Sequence, residues 1–297
     1  MIKEQLKTVV IFCGQGGQHA GMGKEIYGQY AGVRQIFERS SEAAGMDMAN
    51  LCFEDPDGKL SHARFAQPAI VTLQVAGADV LRENGIIPHQ LAGHSLGEIS
   101  ASVVAGGMTV EDGVRLAAKR GAWMEEQGEV VPGAMAASLG LGLEAVEEIC
   151  DKTGTEVANV NSDTQIVIAG RRDLVASAAA LIAEYRGKFK LLPIDVASHC
   201  SLMEPVREKI AQFMREVEVR DPQIPLISNV TAKYVGRAIE IRDNLANQVA
   251  SRVLWVNEVR EMVKRGGKEF NIIGPGDALS GNMRRINPTL NIKSWDF

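Results

Sequence analysis

The sequence predicts an α/β fold: a large α/β domain with a smaller ferredoxin-like module inserted into it. Three stretches carry that expectation. The apolar run at 8–13 (TVVIFC) reads as a buried strand and opens at once into a glycine-rich loop, GQGGQHAGMG. Residues 91–101, LAGHSLGEISA, set a serine between two glycines where a short strand meets a helix. That is the pattern of a strained turn that holds a serine hydroxyl in the open. From residue 129 onward the rhythm becomes strand, helix, strand, strand, helix, strand, the order of a ferredoxin-like module.

Along the chain, helical patterns follow the first loop at 24–45 and 67–84, and a strand at 90–93 leads into the serine turn. Thr109 is placed to cap the next helix, 109–126, whose first turn carries acids that suit the positive end of a helix dipole. GAMAASLGL then reads as strand, LEAVEEICDKTG as helix, TEVANVNS and TQIVIAG as strands, RRDLVASAAALIAEYRG as helix and KFKLLPIDVAS as strand. The module therefore covers 129–198, and the large domain is built from 1–128 and 199–297.

With 45% hydrophobic and 23% charged residues, the 297-residue chain has the material for a sizeable core. No apolar run reaches the length of a membrane span, and the patch at 8–13 is too short for a signal-peptide core. A cytoplasmic protein with no membrane association is expected. A net charge of −5 argues against a general nucleic-acid binder. Cys13, Cys52, Cys150 and Cys200 match no zinc or C-x-x-C spacing, so neither a metal site nor structural disulfides are expected. The glycine-rich loop lacks the Gly-Lys-Ser/Thr ending of a phosphate-binding loop, and reads as a turn that brings backbone N–H groups to a ligand.

A serine hydroxyl is hardly ionised at neutral pH and needs a base. Five histidines are available: His19, His62, His89, His94 and His199. His94 adjoins Ser95, but neighbours at a sharp turn point apart, so His94 is expected to make a structural hydrogen bond within the turn. His199 follows the serine in sequence and stands where the module ends, at a junction of two domains that would form a cleft. It is the candidate base. Asp195 lies near it along the chain, although closeness along a strand does not ensure contact. A hydrolase of the Ser…Asp/Glu…His order would carry its histidine much nearer the C-terminus.

The motifs GQGGQ (14–18), AQPA (66–69), GHSLGE (93–98), KRGAWM (119–124), GAMAA (133–137), NVNSDTQIVIAG (159–170), SHCSLM (198–203) and IGPGDALSG (273–281) occur in this order. In them the chain resembles malonyl-CoA:acyl-carrier-protein transacylases over essentially its whole length. The resemblance implies an α/β-hydrolase-like large domain with an inserted ferredoxin-like small domain. It implies Ser95 as nucleophile, His199 as its base, and the N–H groups of Gln15 and Leu96 as the oxyanion hole. It also implies that a main-chain carbonyl near Gln248, Ala250 and Ser251 orients the histidine. Helical spacing alone leaves Arg115, Lys119 and Arg120 open; the resemblance selects Arg120 as partner of a malonyl carboxylate, for which a planar guanidinium fork is suited. Gln67 would line the same pocket and Asn161 would support the cleft.

Three positions depart from the family pattern: Cys13 in place of the usual proline, Gly17 where serine is frequent, and Glu125 where glutamine is common. Glu125 would either weaken the hold of Arg120 on a carboxylate or face solvent. The implied reaction is a ping-pong transfer from malonyl-CoA to the phosphopantetheine thiol of an acyl carrier protein, by a monomer without cofactor. Arg186, Lys188, Lys190, Arg284 and Arg285 are candidates for meeting an acidic carrier. A trans-acting polyketide synthase acyltransferase for another acyl group, a carrier-protein thioester hydrolase and a non-catalytic scaffold are the alternatives.

Overall fold

A computed structural model describes residues 7–194 and 196–297. Strand β1 (Thr8–Phe12) is followed by α1 (Lys24–Gln29), α2 (Ala31–Ala44), α3 (Met48–Phe53) and α4 (Ala63–Glu83). Strand β2 (Gln90–Gly93) runs into α5 (Gly97–Val104), and α6 (Val110–Val130) closes this part. Next come β3 (Gly133–Leu139), α7 (Leu143–Thr153), β4 (Glu156–Ser162), β5 (Gln165–Arg171), α8 (Arg172–Glu184) and β6 (Lys188–Leu191). The remainder is α9 (Glu204–Phe213), β7 (Leu226–Ile227), β8 (Tyr234–Val235), α10 (Ala238–Gln248), α11 (Trp255–Lys264), β9 (Glu269–Ile273), α12 (Ala278–Ile286) and β10 (Asn291–Trp295).

Two sheets result. The large one has the order β10-β9-β1-β2-β7-β8, parallel except for the β7–β8 pair. Its central strand β1 is apolar from Val9 to Phe12 because both faces are covered there. Val10 and Phe12 join the core built with α4, α5 and α6, while Val9 and Ile11 join the core under α11 and α12. The small sheet has the order β4-β5-β3-β6 with every pair antiparallel, the ferredoxin-like arrangement, and α7 and α8 pack on one face. The small sheet is joined to the segment between α10 and α11: Val160 N–H donates to Val253 O (3.0 Å) and Val253 N–H donates to Ala158 O (2.8 Å).

Two helical expectations need correction. The pattern at 24–45 is two helices, because Tyr30 is extended (φ −113°, ψ 125°), caps both, and lies between Gly28 and Gly32, which weaken helix preference. The pattern at 67–84 begins earlier, at Ala63, with Pro68 accommodated inside the helix. Thr109 caps α6, its Oγ1 accepting from Asp112 N–H at 3.1 Å, and this helix runs on to Val130. Among the described residues no helix is long and apolar enough to cross a membrane.

Candidate active site

The strand-to-helix turn is built by close approach. A Cβ on Gly93 would lie 2.0 Å from the carbonyl of Gly97, and one on Gly97 would lie 2.2 Å from Phe12 O. With both side chains absent, the turn folds tightly enough to hold Ser95 at φ +52°, a left-handed conformation that a non-glycine residue adopts only when its surroundings enforce it. Two buried amides enforce it here: Ser95 N–H donates to Asn229 Oδ1 (2.7 Å) and Ser95 O accepts from Gln248 Nε2 (2.8 Å).

Ser95 Oγ lies 2.7 Å from His199 Nε2, and His199 Nδ1 lies 2.9 Å from the main-chain oxygen of Gln248. A carbonyl only accepts, so Nδ1 carries the hydrogen and Nε2 is free to accept from the serine. Burial, and then the positive charge of Arg120, lower the pKa of His199 to about 3. The imidazole is therefore neutral near pH 7. His199 has φ +64° and its own N–H donates to Val249 O (2.7 Å), which pins it to the end of α10. Asp195 lies outside the described residues. A cavity of about 470 Å³ between α7, β4 and the segment after α10 reaches the histidine.

Arg120 is 3% exposed. Its Nη1 donates to Gln67 Oε1 (2.9 Å), and Nη2 donates to Ser95 Oγ (3.2 Å) and Gln248 Oε1 (3.3 Å). It forms no ion pair with any described residue, and burial lowers its pKa to about 10, which leaves it a cation at neutral pH. The neighbouring candidates are placed elsewhere: Arg115 pairs with Asp112, and Lys119 sits over the rings of Trp123 and Phe213. Glu125 neither disturbs Arg120 nor stands free in solvent; it accepts from both the main chain and the guanidinium of Arg64.

In the glycine-rich loop Gly16 has φ +130°, and Gln15 Oε1 accepts from Gln67 Nε2 (3.2 Å). Among the described residues neither the Gln15 nor the Leu96 N–H has a hydrogen-bond acceptor. Gly17 has no room for the serine that is frequent there, since a Cβ would lie 2.3 Å from Pro275 O. Gln74 holds the loop from below, donating to Cys13 O (2.7 Å) and Gly274 O (3.1 Å).

His94 departs from its expected role. Its ring does not bond within the turn; Nε2 faces Asn161 Oδ1 on β4 at 3.0 Å, with the ring edge-on to Trp255. The residue thereby ties the turn to the small sheet, because Asn159 and Asn161 of β4 supply the polar partners of its ring nitrogen. Sequence reasoning missed Asn229, Gln74 and the buried acids Glu98 and Glu258. Glu98 was visible as a lone acid in the apolar helix GEISASVV, and Glu258 as an acid on the apolar stripe of Trp255, Val259 and Met262.

A parallel sheet with a ferredoxin-like insert, and a serine–histidine pair set against a buried arginine at their junction, define a class of α/β acyl-transfer proteins. The chain belongs to the acyl transferase domain family, whose model matches residues 9–275. It is 36% identical to the malonyl CoA-acyl carrier protein transacylase of Bacillus subtilis (strain 168), over 96% of this chain and 92% of that protein. Its fold is similar to the malonyl CoA-acyl carrier protein transacylase of Coxiella burnetii, with 34% identity, TM-score 0.94, and 98% of this chain and 94% of that one covered. It is also similar to a malonyl-transacylase solved in complex with its type II polyketide synthase acyl carrier protein, with 32% identity, TM-score 0.93, and 98% and 96% covered.

Proposed function

We propose that this protein moves a malonyl group from coenzyme A to the phosphopantetheine thiol of an acyl carrier protein. The observation that carries the reading is Arg120: a buried cation beside Ser95 Oγ that meets no described carboxylate in an ion pair. A malonyl carboxylate supplies the missing charge, in the bidentate geometry a guanidinium favours. An uncharged acyl chain would leave the cation unpaired, which disfavours a general thioester hydrolase.

In this mechanism His199 Nε2 takes the Ser95 proton as Oγ attacks the thioester carbonyl, and the Gln15 and Leu96 N–H groups receive the oxyanion. The C–S bond breaks, His199 returns the proton to the coenzyme A thiolate, and a malonyl ester remains on Ser95. The carrier's thiol then gives its proton to His199 and attacks that ester, and Ser95 leaves with the proton. No external cofactor is required. Arg186, Lys188, Lys190, Arg284 and Arg285 are all exposed, and offer positive charge to an acidic carrier. Four buried, unpaired cysteines suit a reducing cytoplasm, and a site supplied wholly by one chain suits a monomer.

The test is intact-protein mass spectrometry after brief mixing with malonyl-, methylmalonyl- or acetyl-CoA. A malonyl adduct is expected on the wild type, absent from Ser95→Ala and reduced at least about tenfold in Arg120→Ala. An adduct indifferent to Arg120, or a preference for acetyl-CoA, overturns the malonyl assignment.

A further inference from the structure

Beneath the serine turn lie two carboxylates with almost no exposure, Glu98 on α5 (1%) and Glu258 on α11 (0%). Neither forms an ion pair with a described residue. We infer that Glu98, as a buried carboxylate, is a positioning residue for the acyl transfer, setting the Ser95–His199 pair through Gln248, while Glu258 behind it carries a proton. The inference rests on the proposed function and adds a residue to its machinery.

Gln248 serves the site with both its main chain and its side chain. Its main-chain oxygen holds His199 Nδ1, its Nε2 holds Ser95 O, and its Oε1 accepts from Arg120. A side-chain amide reads nearly the same when turned over, so something must decide which end faces Arg120. Glu98 decides it. Its Oε2 accepts from Gln248 Nε2 at 2.5 Å, and its Oε1 accepts from Asn229 N–H at 3.3 Å. An ionised carboxylate only accepts, so Gln248 must show it the NH2 end and show Arg120 the oxygen. Protonated, Glu98 could donate instead, and the turned amide would set NH2 against a guanidinium that has no acceptor to offer.

Glu258 makes a different demand. Asn229 Nδ2 donates to its two oxygens (3.2 and 3.0 Å) and to Gly93 O (2.6 Å), which leaves Asn229 Oδ1 to hold Ser95 N–H. A protonated carboxyl still offers an accepting oxygen, so Glu258 needs no charge. Two ionised carboxylates on one asparagine would repel each other without a cation between them. The charged or titratable groups set against Glu98 are Arg120 from α6, which favours its charge, and Glu258 from α11; Gln248, Asn229 and Ser228 do not titrate in this range. Burial raises Glu98 to about 7, and burial together with the charge of Glu98 raises Glu258 well above the usual carboxylate range.

The experiment measures two Ser95 reactions from about pH 5 to about pH 9 in the wild type, Glu98→Gln and Glu258→Gln, with a thermal melt of each. One is phosphonylation by a fluorophosphonate probe and the other is malonylation by malonyl-CoA. The wild type should lose rate as pH falls through about 7, far above the titration of His199 at about 3. Glu258→Gln should keep that limb and a rate within about twofold. Glu98→Gln should be slower by about tenfold or more at pH 8 and lose the limb. A Glu98→Gln protein with wild-type rate and limb overturns the inference, and so does a Glu258→Gln protein as impaired as Glu98→Gln. Should Glu98→Gln fail to fold, a wild type without the limb, or a Glu258→Gln protein that has lost it, overturns it equally. Because the probe needs no acyl recognition, a wild type that takes phosphonate and refuses malonate would overturn the malonyl reading and leave the Glu98 comparison standing.

Discussion

At the scale of single residues, the site rests on positions where a side chain is missing or inert. Gly93→Ala should destabilise the protein by about 3 kcal/mol or more, because the added methyl meets backbone that cannot move aside. Chemical denaturation together with probe labelling of Ser95 would check it, and both should fall. Cys200 adjoins the histidine in sequence, yet it is buried, donates to Ala197 O, and is pushed up to about 12 by burial. Iodoacetamide at pH 8 should therefore leave Cys200 unmodified and activity intact in the native protein, and peptide mapping should find it alkylated only after denaturation. Ser95 and His199 were legible because both residue types are chemically committed. Arg120 was not legible from spacing, since successive residues of α6 differ only in direction. The glycine after it was the missing signal: a Cβ on Gly121 would lie 2.3 Å from Ala63 O, so α6 touches α4 at that point and drives Arg120 inward towards Gln67.

At the scale of elements, the serine turn is linked to β4 through His94 Nε2, which meets Asn161 Oδ1 (3.0 Å) with Asn159 Nδ2 at 3.4 Å. Asn161→Ala should cost about 1–3 kcal/mol, because it removes the shorter of the two polar contacts of His94 Nε2. It should also slow Ser95 labelling, since the turn loses its tie to the small sheet; a variant with wild-type melting temperature and labelling would refute this. The six elements of the inserted module could be read locally, because hairpins and helix periods are written in short stretches, although the last strand is only Lys188–Leu191 and not the whole of KFKLLPIDVAS. The break at Tyr30 could not, for the apolar period continues across it and only the packing of α1 shows the bend. Nor could the amide–carboxylate layer beneath the turn, whose members come from α5, α10, α11 and the loop after β7 and meet only on folding.

For the whole molecule, the buried titrating groups oppose one another as pH falls. His199 and His94 have native pKa values below the unfolded value of 6.5, so below that pH the unfolded chain binds more protons and stability declines. Glu98 is raised to about 7 and Glu258 well above 4.5, so each binds its proton in the native state at pH values where the unfolded chain does not, and stability rises there as pH falls. The melting temperature should thus change little between about pH 6.5 and 4.5, then drop as pH falls towards about 3, where the histidine deficit is joined by that of carboxylates held below their usual range, such as Glu111 and Asp277. Calorimetry across that range checks the sign, and a steep loss already at pH 6 would contradict it. The division into two sheets was legible from the order of elements. The strand order of the large sheet was not, because parallel neighbours are chosen by packing between distant segments rather than by any local turn.

The carbonyl that orients His199 belongs to the main chain, and that changes what inheritance can do to the site. No codon encodes a carbonyl oxygen, so no point substitution at residue 248 deletes it. An orienting aspartate would be exposed to loss at every replication; this acceptor persists as long as the end of α10 keeps its place. A saturation library at residue 248 will therefore report on the side-chain amide alone. The drift that threatens the histidine's alignment will come instead from residues that seat the helix, such as Leu245 and Val249, at positions where a catalytic inventory would not look.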